Sequence, residues 1–172
     1  ALFWGEPGAS GAPEDAGADL PPLASGEVLA VLGDGMGGHV GGATASRLAA
    51  EAFLAAFVRS HTGVADRLLS ALEIANRALA DKVAARPMFN GMGTTLIGAF
   101  VSDAALSWVS VGDSALFLWR RGELARLNED HSMAPEIDKL VAAGKMSAEA
   151  AANDPRRHYL RAAVTGEEIE MI

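Results

Sequence analysis

Gly33-Asp34-Gly35-Met36-Gly37-Gly38-His39-Val40-Gly41-Gly42 decides how the rest of the chain is read. It follows the apolar run Val28-Leu29-Ala30-Val31-Leu32 and precedes an alanine-rich stretch with helical spacing. The run reads as a strand, which leaves Asp34 at a strand end among glycines that let backbone approach backbone or a ligand closely. A strand followed by Asp-Gly is in most chains a simple turn. The glycines here exceed what a turn requires. A carboxylate beside a glycine carbonyl on a rigid strand end offers the hard oxygen donors that Mg²⁺ or Mn²⁺ takes.

Outward from this loop the apolar spacing is first helical. Over residues 43–60, Leu48, Ala52, Phe53, Ala56 and Phe57 share a stripe, with Arg47, Glu51 and Arg59 away from it. Over 64–85, Leu68, Leu72, Ala75, Leu79 and Val83 make a second stripe, which Arg86-Pro87 ends. These are core faces, each leucine contributing roughly 1.5–3 kcal/mol by leaving water. The period then changes. Residues 92–101, 105–111, 115–120 and 123–127 are rich in β-formers, separated by turn residues such as Ser102-Asp103 and Arg121-Gly122. They are apolar on both faces, which predicts sheets covered on both sides. Between the second and third strands stands Gly112-Asp113-Ser114, again an acid at a strand end beside a glycine. Residues 135–143 predict a short helix closed by Gly144, and Ser147 caps another running to residue 152. Arg156, Arg157 and Arg161 follow, a solvated stretch whose charge suits a phosphate only modestly. Residues 1–25, rich in Gly, Pro and Ala, predict irregular structure, and residues 168–172 read as the opening of another strand.

The 172 residues suffice for one domain with a sizeable core. No apolar run is long enough to span a bilayer, and the first ten residues lack the basic start and apolar core of a signal peptide. No membrane association is expected. The chain has no cysteine, which removes disulfides, thiolate metal sites and thiol nucleophiles and fits the cytoplasm. A net charge of −8 argues against a nucleic-acid partner, whose phosphates select basic surfaces.

The loop Asp34-Gly35-Met36-Gly37-Gly38-His39 resembles, without a gap, the signature of the bacterial metal-dependent serine/threonine protein phosphatases of the 2C type, the PPM family. Ala45-Ser46 falls where that family has its Ala-Ser. Met92-Gly93-Thr94-Thr95, then Val111-Gly112-Asp113-Ser114, then Asp130-His131-Ser132 follow in the family's order at comparable spacings, so the resemblance covers nearly all of residues 27–132. Glu14-Asp15-Ala16 lies where the family carries an early acidic pair, with Pro13 in place of the usual Asn. Two departures stand out: no arginine precedes Glu14 among Ser10, Gly11 and Ala12, and Ala115 replaces the arginine usual after Gly-Asp-Ser.

The resemblance implies an α+β fold, a four-layer α-β-β-α sandwich of two antiparallel sheets flanked by helices, in a single domain over residues 1–172. The C-terminal part that carries two late aspartates of the family is expected to lie beyond it, and residues 133–163 match a flap beside the active site. It implies two or three Mn²⁺ or Mg²⁺ ions, with Asp34 as catalytic and bridging ligand, the Gly35 carbonyl on one ion, Glu14 and Asp15 in support, and Asp113 at a weaker third site. His39 and the Asp130-His131-Ser132 segment are expected to be structural; no residue is assigned to substrate binding. The implied partner is a phosphorylated protein, the product of a serine/threonine kinase, hydrolysed by an activated water. The alternative is a non-catalytic pseudophosphatase or regulatory binding module of the same fold, which the two departures and the missing late acids favour, while Asp34-Gly35 and Asp113 favour the enzyme.

Overall fold

The computed structural model describes residues 2–4, 23–102 and 105–169, so Glu14 and Asp15 lie outside the described residues, as does the side chain of His39. Among the described residues, eight strands and four α-helices follow in order: β1 Leu2–Trp4, β2 Val28–Leu32, β3 Gly35–Met36, α1 Gly38–Arg59, α2 Val64–Ala85, β4 Gly93–Thr94, β5 Leu96–Ser102, β6 Ala105–Val111, β7 Phe117–Arg120, β8 Glu123–Arg126, α3 Ala134–Ala142 and α4 Ala148–Ala152. The main sheet has the order β1-β2-β5-β6, every pair antiparallel, while β3-β4 and β7-β8 form two small ladders. The class is α+β, antiparallel sheets flanked by helices.

The core forms where the two helical stripes meet one face of the main sheet. Leu29 and Val31 of β2, Leu96 and Phe100 of β5, and Val109 and Val111 of β6 pack with Phe53 and Phe57 of α1 and Leu68, Leu72 and Leu79 of α2. The Phe57 and Phe100 rings lie 5.1 Å apart, and Gly98 leaves the space that Phe53 fills, because a Cβ there would overlap the ring. Arg67 covers this aromatic pair, its guanidinium 3.9 Å above the Phe57 ring and its Nε donating to the Phe57 carbonyl. Partial burial pushes the Arg67 pKa down, while Glu27 opposes the shift.

Several boundaries differ from the spacing, each for a tertiary reason. The pattern places the first helix at residue 43, but α1 begins at Gly38, entered through Gly37 in the left-handed region at φ 105°. Its extra turn brings Gly42 against Gly35 so tightly that a Cβ on Gly35 would overlap the Gly42 carbonyl. The stretch 92–101 divides into β4 and β5 at Thr95, which turns to bond Asp34. The third strand starts at Phe117 rather than residue 115. Asn128 takes the Leu116 N–H on Oδ1 and donates Nδ2–H to the Ser114 carbonyl, drawing this stretch out of the ladder. Residues 1–25 are not uniformly irregular. Leu2–Trp4, three good β-formers, pair with Leu29–Val31 at the sheet edge.

Cover on both faces holds for β4 and for β5, whose first five residues are all buried, but not for the longer strands around them. Among the described residues the main sheet carries helices on one face only. Val28, Leu32, Val101 and Trp108 on the opposite face are exposed, as are Phe117, Trp119 and Leu124 of the β7-β8 hairpin.

Candidate metal centre

Strand direction brings the two acids together. The central strand β5 runs opposite to both β2 and β6, so β2 and β6 run the same way and their C-terminal ends share one end of the sheet. Asp34 follows β2 and Asp113 follows β6. Each loop is then fixed by backbone bonds. Gly35 and Met36 pair with Thr94 and Gly93. The Thr95 N–H donates to the Asp34 carbonyl and the Asp34 N–H donates to Thr95 Oγ1, both at 3.0 Å. Thr95 Oγ1 also lies 2.7 Å from Ser114 Oγ.

The Asp113 loop is anchored from behind. The buried His131 donates its backbone N–H to the Gly112 carbonyl at 3.1 Å, and its Nδ1 accepts the Gly112 N–H at 3.3 Å. Gly112 has φ 106°, a conformation glycine adopts without strain. Arg126 Nη2 donates to the Asp113 carbonyl and Nη1 reaches the Asp130 carboxylate at 3.4 Å. Burial raises the Asp130 pKa, but hydrogen bonds from Ser132 and the charge of Arg126 outweigh it, leaving the carboxyl below its usual range. In the described structure the Asp130-His131-Ser132 segment serves as a brace: Asp130 Oδ1 accepts the Ser132 N–H and His131 clasps Gly112.

Asp34, Gly35 and Asp113 line one cleft of about 910 Å³, with Thr95, the segment 158–163 and Glu168 around them. The donors are all oxygen, as a hard divalent cation requires. No ion pair among the described residues uses either aspartate. Among the described residues, no three His, Cys, Asp or Glu side chains gather closely enough to hold an ion by themselves. Spacing and composition passed over Glu168 as the start of a strand; the signal for it is the acidic pair Glu167-Glu168 directly after the turn at Gly166.

The segment over 133–163 leaves the body and returns to it. The Met133 N–H donates to the Tyr159 carbonyl, Ser132 bridges Leu160, and Val164 exchanges two backbone bonds of 2.9 Å with Thr94. Beyond it, Asn76 of α2 accepts the Gly166 N–H and donates to the Glu167 carbonyl. The three arginines are already partnered: Arg156 with Asp154, Arg157 with Asp138, and Arg161 with Glu136 and the Ser132 carbonyl. Their charge is largely compensated locally, which weakens the case for them as a phosphate lure.

A family profile described as Protein phosphatase 2C matches residues 10–155. The chain is 36% identical over 148 residues to the serine/threonine protein phosphatase PstP of Mycobacterium tuberculosis strain H37Rv, a match covering 85% of this chain and 28% of that protein. It is 32% identical over 142 residues to the serine/threonine phosphatase stp of Listeria monocytogenes serovar 1/2a, covering 77% of this chain and 53% of that one. Among solved structures, the catalytic domain of PstP in complex with two manganese ions superposes with a TM-score of 0.65 at 35% identity, over 82% of this chain and 58% of that one. The chain thus spans less than two thirds of each of these relatives.

Proposed function

The chain belongs to the protein phosphatase 2C family, and on that premise we propose that it is a metal-dependent phosphatase domain acting on phosphoserine and phosphothreonine in proteins. The observation that carries this reading is the arrival of Asp34, Gly35 and Asp113 in one cleft from the parallel ends of β2 and β6. Mn²⁺ or Mg²⁺ is the cation the oxygen donors suit, and manganese is the ion bound by the solved PstP catalytic domain. In this reading Asp34 would be the principal, catalytic carboxylate ligand, the Gly35 carbonyl a second donor and Asp113 the ligand of a weaker site, with Glu14 and Asp15 in support. Bound there, the cations lower the pKa of a water and offset charge on the phosphoryl oxygens.

The chain's own residues supply position. Thr95 holds Asp34 at both of its backbone polar groups, and His131 and Arg126 hold the Asp113 loop. No side-chain nucleophile is needed, in accord with a chain that has no cysteine. The substrate is a protein phosphorylated by a serine/threonine kinase, in the cytoplasm. No helix is long and apolar enough to cross a membrane among the described residues.

A second reading, a non-catalytic binding module of the same fold, is favoured by the absence of a three-ligand cluster among the described residues and by Ala115. One experiment separates them. The full-length protein carrying this chain should hydrolyse an aryl phosphate with Mn²⁺ or Mg²⁺ and lose that activity on chelation. Asp34→Asn should lower turnover by orders of magnitude with unchanged circular dichroism, and Ser114→Ala should do far less. Activity that survives exhaustive chelation contradicts the metal mechanism, and no turnover with either ion selects the binding module.

A further inference from the structure

The two acids stand on different strands, yet one side chain reaches both loops. Thr95 is only 2% exposed. Its N–H and its Oγ1 together satisfy both backbone polar groups of Asp34. The same Oγ1 meets Ser114, the residue after Asp113, at 2.7 Å. Its methyl faces the residue before Asp113, since a Cβ on Gly112 would come within 2.6 Å of Thr95 Cγ2. A hydroxyl has one proton and two lone pairs. Thr95 spends one lone pair on the Asp34 N–H, and either its proton or its other lone pair serves Ser114. A β-branched side chain is stiff at χ1, so the oxygen and the methyl cannot exchange places without breaking both sets of contacts.

We propose that the Thr95–Ser114 hydroxyl pair is a positioning device that sets the placement of the Asp34 carboxylate relative to Asp113, and thereby the affinity of the cleft for divalent cations. The inference rests on the metal-centre reading above. Neither hydroxyl need touch an ion: Thr95 acts through the Asp34 backbone, and Ser114 acts by orienting Thr95. A cation held by carboxylates from two separate loops tolerates little drift in their spacing, and the groups that orient its ligands govern affinity almost as the ligands do. Thr95→Val keeps the shape but removes the acceptor of the part-buried Asp34 N–H. Thr95→Ser restores the oxygen and loses only the contact with Gly112.

The test measures Mn²⁺ binding to the full-length protein by calorimetry, well below the unfolding midpoint of each variant. Thr95→Val should weaken binding about 10-fold, with Thr95→Ser recovering most of it, the range expected when a ligand-orienting group is lost. Ser114→Ala should weaken binding about threefold, a smaller loss of the same kind. Placed in the Thr95→Val background, it should do nothing further, because its route to Asp34 is gone. A Thr95→Val protein that melts earlier but binds Mn²⁺ as tightly as wild type would overturn the inference, since its role would then be purely structural. So would equal effects of Ser114→Ala in both backgrounds. Should Thr95→Val fail to fold, Ser114→Ala alone decides, and wild-type affinity in that variant overturns the proposal. Wild-type protein that binds no Mn²⁺ overturns the metal-centre reading and this inference with it; variants that all bind like a competent wild type overturn this inference alone.

Discussion

Gly35 and Gly42 meet backbone to backbone at the foot of the acid-bearing loop, and Gly38 and Gly41 in the same string do not share that duty. A Cβ on Gly42 would lie 2.7 Å from the Gly35 oxygen, whereas one on Gly41 would meet only Met92 Cβ at 3.5 Å, an ordinary contact. Gly41 sits inside α1. Gly41→Ala should therefore stabilise the fold by roughly 0.5–1 kcal/mol through helix entropy. Gly42→Ala should cost about 1–3 kcal/mol, because backbone cannot swing aside as a flexible side chain would. Chemical denaturation decides it: a Gly42→Ala protein as stable as wild type would show that the close approach does not exist in solution. At this scale Asp34 and Asp113 were legible, because an acid beside glycine at a strand end is a local pattern. Thr95 was not. Its partners are 61 and 19 residues away, and nothing in Gly-Thr-Thr says which hydroxyl will face which loop. Glu14 and Asp15 remain proposals outside the described residues.

Among the elements, the spacing predicts β2, β6 and α2 to the residue; for α2, Val64–Ala85, a helix with one buried stripe and a following Arg-Pro needs no distant partner to define it. The starts of α1 and β7 were out of reach because contacts that no apolar period registers set them, Gly42 against Gly35 and Asn128 on Leu116 and Ser114. The cap of α4 was legible, since capping is local. Ser147 Oγ accepts the Ala150 N–H, as the sequence suggests. Asp154 does the same for the 3₁₀ turn Pro155–His158, accepting the Arg156 N–H on Oδ1. The Arg156 guanidinium, then its backbone N–H, outweigh burial and hold the Asp154 pKa at about 2. A depressed carboxyl stabilises the fold above its unfolded value, about 3.9, and that contribution is lost as pH falls towards 2. Because the Arg156 partner is solvent-exposed, the change should be local rather than global. Side-chain carboxyl NMR should place the Asp154 midpoint near 2; a midpoint at the ordinary aspartate value would mean that the clasp does not persist.

For the molecule as a whole, apolar strands foretold a buried sheet, and one side of it is. The other side has Val28, Val101 and Leu106 in one cross-strand row and Ala30, Ala99 and Trp108 in the next, with Trp108 still 38% exposed. A patterning argument counts apolar residues; it cannot say which chain covers them. Residues 1–172 expressed alone should bind an apolar dye and self-associate with rising concentration, and Trp108→Lys should reduce both. A dye-free monomer in sedimentation velocity would mean that residues within the chain close this face. The excursion through α3 and α4 has the contrary character. It departs at Met133 and returns at Tyr159, and these two residues are bonded at 2.8 Å. A stretch whose two ends already touch is a cassette. Selection can lengthen it, shorten it or exchange it without moving a strand, so the rim of the cleft is free to diverge while the loops bearing the acids stay still.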